Sequence, residues 1–310
     1  MKVLFISLII IILVIISIKK NNTKLIKMIN PSDYILTNDL IDERDKYDLT
    51  KNMLKNINAS SKVYKILKDI KTKINKNLVY GIKNKDNNYR IEIYLYGKEP
   101  NELNYQNKNN NKFINDVNKL LQYFNHNIEN KINKIFNDRN VILVSFDIDL
   151  QGNFNNKIHL YVKSNIDDEI INHINFIKTS NYTLDYDIIK DTIEDESFFT
   201  RINNFEELKT VLNYYKNIKG YKINIDYFMK ELLKINAKST NLMFHYKFYN
   251  NSIGIYFIDN HINIVNNFLK IYDYPFKIDE SIYKKLKLDI AINYIINENR
   301  INGTGFSDFI

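Results

Sequence analysis

Five times along this chain the apolar pattern switches from a helical period to strict alternation, and each time the alternation comes as a pair of runs. That pattern leaves few folds open. NLVYGIK and YRIEIYLYG flank a KDNN turn over 77–97; VILVSFDIDL (141–150) and KIHLYVK (157–163) flank a turn around QGNFNN. TNLMFHYKFY and SIGIYFIDN meet at Asn250-Asn251 over 240–259, and LDIAINYII (288–296) and TGFSDFI meet through ENRING. A weaker pair, YTLDYDIIK (182–190) and SFFTRI (197–202), completes five β-hairpins. Between them, three- and four-residue spacing predicts helices over 39–58, 60–77, 111–136, 165–178, 203–217, 224–236 and 260–272, with Asn38 or Asp39 and Ser60 as N-caps of the first two. The unit is α-β-β-α, repeated without sequence identity between copies. Ten antiparallel strands suffice to close a barrel wide enough for a ligand. The expected fold is therefore α+β, an antiparallel β-barrel surrounded by helices, over 39–310.

Composition limits which further arguments carry weight. The chain has 53 Ile, 50 Asn and 39 Lys in 310 residues, all with A+T-rich codons, so neither the Asn-rich stretches nor the lysine surplus points to function. The scarce residues are the informative ones. Without cysteine there are no disulfides, thiolate metal sites or cysteine nucleophiles. A net charge of +8 admits anionic partners, but with no arginine cluster and no long basic run, nucleic acid is not expected. No P-loop, G-x-G-x-x-G, H-E-x-x-H or G-x-S-x-G occurs.

Val3 to Ile18 is an apolar run interrupted only by Ser7 and Ser17 and bounded by Lys2 and Lys19-Lys20. KKNNTK offers no small-residue cleavage site. The segment 1–20 is read as an uncleaved single-pass membrane anchor placing residues 3–18 in lipid, with 21–38 as a linker. A cleaved signal and a buried helix are the alternatives. Lys19, Lys20, Lys24 and Lys27 lean the orientation towards a cytoplasmic body.

Alternation sends successive strand residues to opposite faces. Arg90, Glu92, Tyr94 and Tyr96 oppose Ile91, Ile93 and Leu95. Lys157, His159, Tyr161 and Lys163 oppose Ile158, Leu160 and Val162, and Met243, His245 and Lys247 oppose Leu242, Phe244 and Tyr246. With the aliphatic faces packed under helices, the inner surface carries Arg90, Lys157, His159, Lys163, Arg201 and Lys247 among Tyr94, Tyr96, Tyr161 and Tyr256. Cations beside tyrosine rings suit a diphosphate joined to an apolar group. Polar strand faces turned simply to water are the alternative.

Repeated α-β-β-α hairpins around a polar barrel resemble the aromatic prenyltransferase fold (ABBA, or PT-barrel), and most of all its cyanobactin-type peptide prenyltransferases. The likeness is strongest in VILVSFDIDLQGNFNNKIHLYVK, where a strand ending I-D-L precedes one bearing K-x-H. The resemblance implies that Lys157, His159 and Arg90 bind diphosphate and that Tyr256 lines the barrel. The strand faces add Arg201 and Lys247 beside the diphosphate, with Mg²⁺ as an optional companion, and Tyr94 and Tyr161 beside Tyr256 to shield an allyl cation. The expected activity is transfer of a dimethylallyl-type group from an isoprenyl diphosphate to a peptide or aromatic acceptor. One departure stands out: the family carries an acid in the first strand, and NLVYGIK has none. Glu92 and Asp147 are the substitute base candidates. A membrane-tethered barrel without catalysis, in a ligand-binding or structural role, is the competing expectation.

Other constellations carry less. His126, His173 and His261 fall on or beside helical patterns and are read as surface or core histidines, and Asp167-Asp168-Glu169 sits where acids complement a helix N-terminus.

Overall fold

The computed structural model describes residues 43–73, 78–97, 111–164, 173, 174, 177, 180–238, 242–247 and 251–309. The expected anchor (3–18) and linker (21–38) lie outside these residues, as does nearly all of the helix expected over 165–178. No described helix is long and apolar enough to cross a membrane.

In chain order the elements are α1 (Glu43–Asn56), α2 (Ser61–Lys73), β1 (Leu78–Lys85), β2 (Asn88–Tyr96), α3 (Asn111–Tyr123), α4 (Glu129–Asp138), β3 (Val141–Ile148) and β4 (Phe154–Ser164). They continue with β5 (Ser180–Asp187), β6 (Thr192–Ile202), α5 (Phe205–Asn217), α6 (Ile225–Lys234), β7 (Leu242–Lys247), β8 (Ser252–His261), α7 (Ile262–Ile271), β9 (Lys287–Ile295) and β10 (Arg300–Phe309). The ten strands close into one antiparallel barrel in the cyclic order β1-β10-β9-β8-β7-β6-β5-β4-β3-β2. Every hairpin turn therefore lies at one mouth, and the helical connections leave from the other. The α+β barrel surrounded by helices that the hairpin repeat predicts is the observed architecture, and the weak pair over 182–202 forms two full strands of it, of 8 and 11 residues.

Between the barrel's outer face and the helices lies the core. Ile91 and Ile93 on β2, Ile253, Ile255 and Phe257 on β8, and Phe228 on α6 are fully buried; such side chains contribute roughly 1.5–3 kcal/mol each. Stacked rings tie helices to strands: Tyr215 on Tyr246 (4.4 Å) and Phe228 on Tyr294 (4.5 Å). Tyr80 of β1 donates its hydroxyl to the Leu67 carbonyl of α2 at 2.8 Å, so its buried oxygen has a partner. With these faces covered outside, alternation turns the polar faces into the lumen.

One helix expected over 111–136 is two. Asn125 adopts φ 64°, and the Asn125 and His126 amides donate back to the Gln122 and Leu121 carbonyls, ending α3 in a Schellman motif. Asn58 closes α1 the same way. Among the described residues, all eleven non-glycine residues with positive φ are Asn or Asp, including Asp86-Asn87 in the β1–β2 turn. In a chain with seven glycines, Asn and Asp occupy the left-handed positions that glycine commonly fills.

Candidate functional site

The lumen is a cavity of roughly 1300 Å³. All five cations expected at a diphosphate, Arg90, Lys157, His159, Arg201 and Lys247, line it, as do Glu92, Asp147, Tyr94, Tyr161 and Tyr256. The side chain of Lys163 lies outside the described set. Inward-facing residues repeat every second position, so the wall is built in layers about 7 Å apart along each strand.

Nearest the hairpin mouth stand Arg90 and Lys157. One step deeper is a charged belt of Lys83, Glu92, Asp147, His159, Asp185 and Lys247. Glu92 and Asp147 are directly opposed on β2 and β3, a like-charge juxtaposition that is unfavourable unless a cation relieves it. Lys83 of β1 supplies the cation, with its ammonium 2.7 Å from Glu92 Oε2 and 3.4 Å from Asp147 Oδ1. Burial works against the Lys83 charge, but Asp147 and Glu92 prevail and hold its pKa above the ordinary lysine value. Glu92 also accepts from Ser145 Oγ at 2.8 Å and from the Tyr94 hydroxyl. On β4 and β5, His159 Nδ1 lies 2.6 Å from Asp185 Oδ1. Burial again opposes the imidazolium, yet Asp185 raises the His159 pKa overall. Asp185 is itself held well below the carboxylate range: His159 and then Lys247 and Lys83 outweigh its desolvation. Asp147 is lowered likewise, with Lys83, His159 and Arg90 overcoming burial.

The next layer is aromatic. Tyr161 packs edge-on against Phe199 (5.6 Å), Phe199 against His245 (6.2 Å), and His245 lies 6.3 Å from Tyr256. Tyr94 completes the row, close enough to Tyr161 and Tyr256 for each hydroxyl to oppose ionisation of its neighbour. All three phenols are raised, first by burial and then by Glu92, that of Tyr256 to about 12. They stay neutral across the physiological range. His245 is also neutral, because burial and the Lys247 charge push its pKa well below the usual histidine value. Its Nε2, Thr183 Oγ1 and Ser197 Oγ are buried without a hydrogen-bond partner among the described residues, and Thr183 faces Ser197 across β5 and β6.

The five expected cations are not equivalent. Arg201 pairs with Met243 on β7, four residues along the strand from Lys247, which puts it about 13 Å from the Lys247 level. It stands towards the mouth from which the helical connections leave, beyond the aromatic row. Lys157 is ion-paired to Glu194, which also holds Lys190, and His159 is engaged by Asp185. Arg90 and Lys247 form no ion pair among the described residues. Sequence reasoning passed over Lys83, Asp185 and Ser145. The alternation that revealed Arg90 also turns Lys83 inward, since Lys83 and Arg90 are cross-strand partners.

Among the described residues Glu92, Asp147 and His159 are the one group able to share an ion, with a donor atom of each within 4.8 Å of the others. They do not fit Mg²⁺ as they stand. Mg²⁺ demands a near-octahedral set of oxygens and retained waters, whereas both Glu92 oxygens already accept hydrogen bonds and Lys83 stands between the carboxylates.

No family model matches the sequence. A protein described as JmjC domain-containing, from Acanthamoeba polyphaga mimivirus, is 33% identical over 125 residues. That match covers 39% of this chain and 19% of the viral protein, so the chain spans about a fifth of the curated relative's length. Among solved structures the chain is similar to 6-dimethylallyltryptophan synthase from Micromonospora olivasterospora in complex with DMASPP and Trp, at TM-score 0.46 and 7% identity, covering 75% of this chain and 81% of that one. It is also similar to AnaPT from Neosartorya fischeri, at TM-score 0.41 and 10% identity, covering 75% and 78%.

Proposed function

We propose that this protein is a prenyltransferase-like barrel that takes an isoprenyl diphosphate into its lumen and transfers the prenyl group to an aromatic or peptide acceptor. One observation carries the reading: a charged belt with cations at its outer edge lies directly on an aromatic layer inside one cavity. A diphosphate with an apolar tail has the same two-part character, a multiply charged head about one layer long and a tail that prefers ring faces. Arg90 and Lys247, which form no ion pair among the described residues, are the leading diphosphate ligands, reaching in from opposite sides of the barrel, with Lys157 and His159 lining the same lumen. Ordering guanidinium and ammonium donors around phosphate oxygens stabilises the charge that grows as the C–O bond breaks. Tyr94, Tyr161 and Tyr256, neutral and buried, present ring faces to the allyl cation and exclude water from it. The unpaired Nε2 of His245, which lines the cavity, leaves hydrogen-bonding capacity for a bound polar group. In the transfer, diphosphate departs with the C–O electron pair and the acceptor supplies the pair for the new bond. Glu92 and Asp147 are the carboxylates in reach of the proton that the acceptor loses. Likeness to cyanobactin-type enzymes, a peptide acceptor and a lipid tether through residues 3–18 with a cytoplasmic body belong to this proposal on the sequence patterns alone.

A second reading has its own observation. Lys83 stands on β1, where the resembled family carries an acid, and it neutralises both base candidates. That arrangement favours a membrane-tethered barrel that binds an anionic or lipid ligand without turnover. Incubation of the full-length chain with dimethylallyl diphosphate and tryptophan or a tyrosine-containing peptide separates the two. Release of diphosphate together with a prenylated acceptor supports transfer. Saturable binding without release supports the second reading, and neither binding nor release contradicts both.

A further inference from the structure

The belt contains a cation position already filled by the chain itself. Glu92 and Asp147 face each other across β2 and β3, and together with His159 they bring two carboxylates and an imidazole within 4.8 Å. That donor set is suited to a borderline divalent ion such as Mn²⁺ or Zn²⁺. The Lys83 ammonium is seated against both carboxylates, 2.7 and 3.4 Å away, and a metal bound to the same oxygens would coincide with it. We propose that Lys83 is a tethered cation occupying a latent divalent-metal site formed by Glu92, Asp147 and His159, and that it keeps metal out of the native lumen.

Two features support the assignment. The acids are nearly buried, Glu92 at 2% and Asp147 at 8% exposure, so they need a counter-charge at that place and bulk water does not supply it. The ammonium is attached to the wall, so it is present at an effective concentration that a dilute ion has to overcome. The position also differs from the proposed anion ligands: Arg90 and Lys247 lie outside it, and the claim stands whether or not a prenyl diphosphate binds.

The test is calorimetric titration of Mn²⁺ into the full-length chain and into Lys83→Met. The wild type is expected to give no saturable heat attributable to this site. Lys83→Met is expected to bind one Mn²⁺, and Asp147→Asn added to that variant should weaken the binding at least tenfold. Broadening of the His159 ring resonances by Mn²⁺ in Lys83→Met alone would place the ion in the belt. Saturable Mn²⁺ binding by wild type that disappears in Glu92→Gln overturns the proposal and makes the position a native metal centre; this arm needs no Lys83 variant to fold. A folded Lys83→Met, judged by its thermal transition, that binds no Mn²⁺ also overturns it. Neither result bears on diphosphate binding, which a separate titration decides.

Discussion

The ammonium of Lys83 lies 2.7 Å from Glu92 Oε2, joining the first strand of the barrel to a carboxylate that already receives Ser145 and Tyr94. Lys83 thereby balances two opposed acids with one cation. With 38% of its side chain facing the lumen, removal is expected to cost less than the loss of one partner of a fully buried pair. Lys83→Met is predicted to destabilise the fold by about 2 kcal/mol, measured by urea unfolding. Adding Asp147→Asn should recover part of that loss, because the remaining acid no longer faces a like charge. A double variant less stable than Lys83→Met by the full cost of Asp147→Asn alone would show the two residues uncoupled.

The two lumen histidines predict opposite pH limbs. Folding raises the His159 pKa above 6.5, so its contribution is complete below 6.5 and is lost as pH rises through the folded value. Folding depresses the His245 pKa below 6.5, so the unfolded chain takes up the extra proton and stability falls as pH drops from 6.5 towards the folded value. Asp185, whose pKa is lowered from 3.8, adds a further loss at more acid pH. Urea midpoints should therefore show the histidine-linked optimum near pH 6.5. His245→Gln should flatten the slope on the acid side, and His159→Gln the slope on the alkaline side. Identical profiles in wild type and both variants would contradict the assignments.

At Asn125 the break between α3 and α4 rests on one left-handed residue. Asn125→Gly should be neutral or slightly stabilising. Asn125→Val, whose branched side chain disfavours positive φ, should cost about 1–2 kcal/mol. Thermal unfolding of both variants checks the pair, and equal transition temperatures would show that the backbone there does not require the left-handed conformation.

Much of the fold was legible because strand alternation survives a biased composition. Ile91, Ile93 and Leu95 mark an outer face whichever codons the genome prefers, and the inward positions follow from them. The helix boundary at Asn125 was hidden for the same compositional reason: with 50 Asn in the chain, an asparagine that ends a helix looks like any other. In the lumen, scarce Arg90, His159 and Arg201 drew attention, while Lys83 was lost among 39 lysines and Asp185 sat in the weakest strand pair. The depth of Arg201 and the prior engagement of Lys157 by Glu194 depend on register and on partners distant in sequence, which periodicity does not encode.

The tyrosine row should act on the tail and leave the head alone. Tyr256→Ala is predicted to weaken binding of dimethylallyl diphosphate by about tenfold through lost ring contact, while leaving affinity for inorganic diphosphate unchanged. Tyr256→Phe should retain both. A comparable loss for inorganic diphosphate would place Tyr256 at the head instead.

Calorimetric titration of dimethylallyl diphosphate into the full-length chain, beside Arg90→Ala/Lys247→Ala, tests the central claim most directly. The layered lumen predicts one saturable site in wild type and at least a tenfold loss in the double variant, each charge-assisted contact being worth about 1.5–3 kcal/mol. No saturable binding by wild type, or equal affinity in the folded double variant, would contradict a diphosphate site in this barrel.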